Sequence, residues 1–280
     1  MNSRNDVVIG TIKNYGWPEV MPFALSLERC GFIGNKVMFI ENISSYCKER
    51  LTALGWTLKE VASDSSQSYA TARHIPVSDF LNENKDKFRY VLYVDVRDAV
   101  FQSNPSIWLE NNLKENELVG PSECVLIKDQ DVNSRWIKET LGEEIEKSLG
   151  NSDVLCCGTI VGGIEPVRYV IQKMCELSKN ISGWGYDQAY FNYLTRISPL
   201  KEVTRILKMK DSFIATVSWF FCDAWKWKEF LVDETPVFDG NNITVRTPDN
   251  SELFCIFHQY DRNYQWKNAI EQKYSEYITI

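Results

Sequence analysis

Asp95 and Asp98 stand three positions apart at the end of an apolar run, Tyr90-Val91-Leu92-Tyr93-Val94. Two carboxylates gathered without a matching cluster of bases can hold a hard divalent cation bridged to phosphates. The run is unbroken rather than alternating, which predicts a strand covered on both faces, as in a parallel sheet. Its acids then fall at the carboxyl edge, where open α/β sheets bind ligands. The same spacing also serves plain structure, with Asp98 capping a turn and Asp95 pairing with Arg97.

The elements that must position these acids alternate. Val7 to Ile12 reads as a first strand, followed by a helix from about Glu19 or Pro22 to Cys30 that stops at Gly31. Lys36 to Glu41 and Thr57 to Val61 read as strands around a helix from Ser45 to Leu54, and a further helix from about Tyr69 to Asn84 leads into the Asp95 strand. This β-α-β-α-β order predicts a right-handed, parallel α/β sheet. Beyond Asn104-Pro105 the order loosens. A strand near Leu118, a charged helix from about Val132 to Leu149, a short strand at Val154 to Cys157, helices opening at Pro166 and near Asp187, and strands near Asn242 to Arg246 and before His258 are expected. The whole chain, residues 1–280, reads as one domain with a nucleotide-binding subregion over about 1–104 and a second subregion over about 105–280.

Composition narrows the class. With 44% apolar side chains in 280 residues the chain can bury a core without staples. A net charge of -7 argues against nucleic acid as a partner, because phosphate backbones are bound by clustered Lys and Arg. No segment approaches the roughly 20 apolar residues of a membrane span. No signal peptide is read at the start, and the eight cysteines lack Cys-x-x-Cys spacing, so reduced thiols in a cytoplasmic setting are expected. The Asn-x-Ser/Thr sequons at Asn42, Asn180 and Asn242 then read as chance matches. Neither the G-x-G-x-x-G fingerprint nor a Walker A loop occurs.

Three motifs follow one another: Asp95-Val96-Arg97-Asp98 at a strand end, Gly185-Tyr186-Asp187-Gln188 at a helix start, and His258-Gln259-Tyr260-Asp261 after a late strand. Their order resembles nucleotide-sugar glycosyltransferases of the GT-A fold, in the Asp-x-Arg-Asp variant of the Asp-x-Asp type, over most of the chain. The resemblance implies a single Rossmann-like domain with a central, mostly parallel mixed sheet flanked by helices. It implies Mn²⁺ or Mg²⁺ held by Asp95, Asp98 and His258 against the diphosphate of a UDP-sugar, with a saccharide acceptor, on a glycoprotein or polysaccharide, as the second substrate. Because residues 95 and 97 share a strand face, Asp98 reaches the metal only if the chain turns right after Val96. Otherwise Asp95 is the sole carboxylate ligand or contacts the ribose.

The same resemblance assigns the donor to Gly10, Thr11 and Ile12 at the end of the first strand, to Arg73 ahead of the metal strand, to Arg97, and to Gly162 and Gly163. Asp187 becomes the base or acceptor anchor, and Gln188 an amide near the anomeric carbon. Asp187 also suits a helix N-cap. Trp184 offers a face for sugar CH groups, and Trp219, Trp225 and Trp227 suit either an acceptor groove or the core. The competing classes are a non-catalytic carbohydrate-binding protein, a haloacid dehalogenase-type phosphatase and a nucleotidyltransferase. The phosphatase expects its acids on the first strand, and the nucleotidyltransferase a Gly- and Arg-rich N-terminal loop; neither is present.

Overall fold

The structure, a computed structural model, describes residues 5–62, 68–179, 181, 183–221 and 230–275. Its first part runs β1 (Val7–Lys13), α1 (Trp17–Arg29), β2 (Asn35–Glu41), α2 (Ser45–Ala53), β3 (Thr57–Glu60), α3 (Tyr69–Ala72), α4 (His74–Glu83) and β4 (Tyr90–Val94). Then come β5 (Ala99–Phe101), α5 (Pro105–Asn112), β6 (Leu118–Leu126), α6 (Asp131–Leu141), α7 (Glu143–Leu149), β7 (Asp153–Leu155), β8 (Thr159–Gly163), α8 (Ile164–Ser178) and α9 (Tyr186–Leu194). The last part holds β9 (Thr204–Leu207), β10 (Ile214–Thr216), α10 (Ser218–Phe221), β11 (Val237–Asp239), β12 (Thr244–Arg246), β13 (Ile256–His258) and α11 (Tyr264–Ser275).

The main sheet has the order β3-β2-β1-β4-β8-β6-β7, with β9 pairing β6. Its first four strands are parallel, whereas β8 lies antiparallel to β4 and β6. The chain moves outward from β1 to β3 and then returns to place β4 on the other side of β1. That reversal opens a crevice at the carboxyl ends of β1 and β4, the usual ligand position in such sheets.

Both faces are buried, as the apolar runs require. Val8 and Ile12 of β1 and Tyr90, Leu92 and Val94 of β4 join one core cluster with α1 and α11, while Val7, Ile9, Val91 and Tyr93 join a second with α4, α8 and α9. A salt bridge pins the opposite end of the same strand pair. Asp6 accepts from Nε and Nη2 of Arg89, each at 3.0 Å, with the Asp6 side chain fully buried. Asp6→Ala is therefore expected to cost about 3 kcal/mol, because it leaves a mostly buried guanidinium without its counter-charge. A urea midpoint unchanged from wild type would refute this.

Three helices differ from the sequence reading. The first starts at Trp17, earlier than read, because Pro18 fits a first turn and the Glu19 carboxylate accepts from Gly16 N at 2.7 Å. The helix expected from Tyr69 to Asn84 is broken at Arg73. Pro76 lacks the N–H that would reach the Ala72 carbonyl. The charged helix expected from Val132 to Leu149 divides at Gly142, whose φ of 91° no helix accommodates. A short strand, β5, follows the acids directly and belongs to a second sheet, β10-β13-β5.

Candidate active site

Asp95 follows the last residue of β4, and its backbone N–H is held by the Gly158 carbonyl at 2.7 Å. The chain then bends through residues 95–98 and enters β5, which pairs antiparallel with β13 so that Ala99 faces His258. The Asp98 carbonyl accepts from Gln259 N at 2.8 Å, locking this corner. Strand register alone thus brings a histidine 160 positions later beside the second acid.

One ligand atom from each of Asp95, Asp98 and His258 lies within 4.8 Å of the other two. Nε2 of His258 is 3.2 Å from Asp98 Oδ1 and 3.9 Å from Asp95 Oδ2, yet it finds no aligned hydrogen-bond acceptor although buried. A buried nitrogen and two carboxylate oxygens gathered this closely fit a divalent ion that takes oxygen and imidazole donors. Burial opposes charge on Asp98, but His258, Arg262 and Arg97 outweigh it and hold the carboxyl down at about 2. For His258, burial likewise opposes the charged form, and Asp98 overcomes it, so the ring's pKa is raised.

The cavity over these groups has a volume of about 400 Å³. Thr11, Tyr15, Tyr69 and Arg73 line it, together with a second group, Glu123, Asn133, Trp136, Trp184, Gln188 and Trp219. Arg73 sits at the break between α3 and α4, where its guanidinium bonds Asp95 and lies 3.4 Å from Asp187 Oδ2. Asp187 is also 3.5 Å from His74 Nε2 and 3.6 Å from Cys157 Sγ. Burial raises its pKa, but His74 and Arg73 dominate and the net shift is downward. Gln188 donates to Asn133 at 2.8 Å and Glu123 at 3.2 Å.

Not every candidate reaches the cavity. Gly162 and Gly163 are not in a loop at the site; they end β8 and pair with Val91 and Tyr90 at the start of β4, the far end from Asp95. A Cβ on Gly163 would lie 1.6 Å from the Glu115 carbonyl, so close backbone packing explains the pair. Of the first-strand trio only Thr11 lines the cavity. Ile12 is core, and a Cβ on Gly10 would meet Val96 at 2.5 Å, so Gly10 lets the acidic bend cross β1. Arg97 turns outward to Asp261 at 3.1 Å, although it still borders the cavity. Asp187 is not the N-cap of α9, a place taken by Gly185 with φ 82°. Trp225 and Trp227 lie outside the described residues, as does the sequon asparagine Asn180.

The sequence reading missed Gly158, Glu123, Cys156, Cys157, His74 and Asn133. Only Gly158 carried a signal, a glycine directly after an apolar strand. Its Cβ would sit 2.4 Å from His258 Cε1 and 2.8 Å from Asp95 Oδ2, so it is the glycine that leaves room among the acids. The others come from separate elements and share no spacing.

This sheet order is that of the GT-A fold. The solved structures bear this out. The chain superposes on the galactosyltransferase LgtC, crystallised with donor and acceptor sugar analogues, with a TM-score of 0.57, covering 98% of this chain and 97% of that one at 13% identity. Mouse xyloside xylosyltransferase 1 matches with a TM-score of 0.53 over 90% of this chain and 97% of that one, at 12% identity. The glycosyltransferase GlyE of Streptococcus pneumoniae TIGR4 matches with 0.55 over 96% of this chain but 63% of its own, at 15% identity. No protein-family model and no curated protein matches the sequence. At such identities the likeness is one of fold. Among the described residues no helix is long and apolar enough to cross a membrane.

Proposed function

We propose that this protein is a metal-dependent glycosyltransferase that moves a sugar from a UDP-sugar to a hydroxyl of a saccharide acceptor. The observation that carries this reading is the convergence of Asp95, Asp98 and His258 at the crevice between β1 and β4. These three would hold the ion, with Mn²⁺ favoured over Mg²⁺ by the imidazole donor. When bound, such an ion neutralises charge developing on a departing diphosphate.

The remaining residues divide the work along the cavity. Thr11, Tyr15 and Tyr69 suit the nucleoside at the carboxyl end of β1. Arg73, fixed between Asp95 and Asp187, offers a cation already oriented toward the phosphates and donor sugar. Asp187 is held ionised beside that guanidinium, which weakens it as a base and suits it to anchor sugar hydroxyls. Gln188 presents a carboxamide held by Asn133 and Glu123 beside Asp187. Trp136, Trp184 and Trp219, with the buried Glu123, give the cavity indole faces and hydroxyl acceptors, the combination a neutral saccharide needs.

The test is UDP release from UDP-sugars without acceptor, with and without Mn²⁺, beside a saturation-transfer NMR screen of UDP- and GDP-sugars. Release that requires Mn²⁺ is expected, since transferases leak some donor to water. A carbohydrate-binding protein would release none. Absence of both release and donor signals across the screen would overturn the proposal.

A further inference from the structure

His258 has two ring nitrogens, and the one turned away from the acids has an unusual neighbour. Nδ1 lies 3.5 Å from the Sγ of Cys156, a buried thiol. That sulfur also accepts from Gln259 Nε2 at 3.8 Å, and its own proton is within reach of the Glu123 carboxylate. Glu123 is itself buried, and it accepts from Trp219 Nε1 at 2.9 Å and from Gln188 Nε2 at 3.2 Å.

If Nε2 is to present a lone pair to a cation, the contact at the other nitrogen orders the protons. Nδ1 must then carry the ring proton, and its neighbour Sγ must accept it. The thiol's own proton is left to point at Glu123.

We infer that Cys156 is a positioning residue, a thiol link through which Glu123 and Trp219 fix the tautomer and ring orientation of His258 for metal binding. This rests on the metal site proposed above. Metal-bound histidines ordinarily direct their second N–H to a carboxylate, carbonyl or water, and losing that partner weakens metal binding 10–100-fold. Here a sulfur stands between the ring and the carboxylate. The same arrangement ties the metal corner to Gln188, because the Glu123 behind Cys156 also accepts from Gln188 Nε2.

The experiment is Mn²⁺ affinity by EPR of the free ion for wild type, Cys156→Val, Cys156→Ser and Asp98→Asn, with melting temperature recorded for each. Valine fills the space without donating or accepting; serine does both. Cys156→Val is expected to bind Mn²⁺ about 10–100-fold more weakly, and Cys156→Ser to stay within about threefold of wild type. Wild-type affinity in Cys156→Val overturns the inference. Equal loss in both variants also overturns it, since packing alone would then be at work. Should Cys156→Val fail to fold, imidazole ¹⁵N spectra of the Mg²⁺-loaded wild type decide, with a slowly exchanging Nδ1 proton expected and its absence contradicting the assignment. Unaltered Mn²⁺ binding in Asp98→Asn would instead remove the metal site on which the inference rests.

Discussion

Asp98→Asn is expected to lower Mn²⁺-dependent UDP release about 10³-fold, equivalent to about 4 kcal/mol of barrier. The substitution keeps the shape of the side chain and removes its charge. Asp98 is the buried member of the acid pair, and it faces His258 at 3.2 Å with Arg97 and Arg262 at 3.9 Å. A neutral carboxamide leaves that positive surround uncompensated and repels a cation from the point where three donors meet. Folding should suffer far less, since His258 can shed its proton once its partner is neutral. The melting temperature is expected to fall by no more than about 5 °C. Wild-type turnover in this variant would place Asp98 outside the site.

Gly158→Ala tests the same point by volume rather than charge. The added methyl would lie 2.4 Å from His258 Cε1, 2.8 Å from Asp95 Oδ2 and 2.9 Å from His258 Nε2, distances that real carbon atoms do not adopt. Relief by moving the backbone is restricted, because the Gly158 carbonyl holds Asp95 N and the neighbouring Thr159 is paired with Val94. One ligand must therefore rotate away. Mn²⁺ affinity by EPR should drop about 100-fold, and UDP release with it, while the circular dichroism spectrum stays native. An alanine variant that binds Mn²⁺ as tightly as wild type would mean that the ion, if any, sits elsewhere.

These two residues differ in how visible they are without coordinates. Asp98 announces itself as a second acid after a fully apolar strand, and the turn it needs is realised by the start of β5. Gly158 shows only as a glycine past a short strand. The error at Gly162 and Gly163 has the same origin: close backbone approach explains all three glycines, but what approaches is Glu115 and Glu117 at one end of the sheet and the acid cluster at the other. Which end a glycine serves depends on strand direction. Here β8 runs antiparallel to β4, so its first residues, not its last, lie beside Asp95.

The sequence by itself determined the parallel half of the sheet, its two buried faces and the carboxyl edge where the acids fall, because these follow from hydrophobic period and element order within about a hundred residues. It also named Asp95, Asp98, Arg73, Asp187, Gln188 and His258, all of which the fold gathers around one cavity. Only the tertiary structure decided how they face one another. The β5–β13 register sets His258 beside Asp98, the proline-broken helix turns Arg73 toward both Asp95 and Asp187, and a thiol from the segment after β7 backs the imidazole. Those contacts span from about twenty to a hundred and sixty positions, and no local preference encodes a distance between side chains that meet only when separate sheets pack.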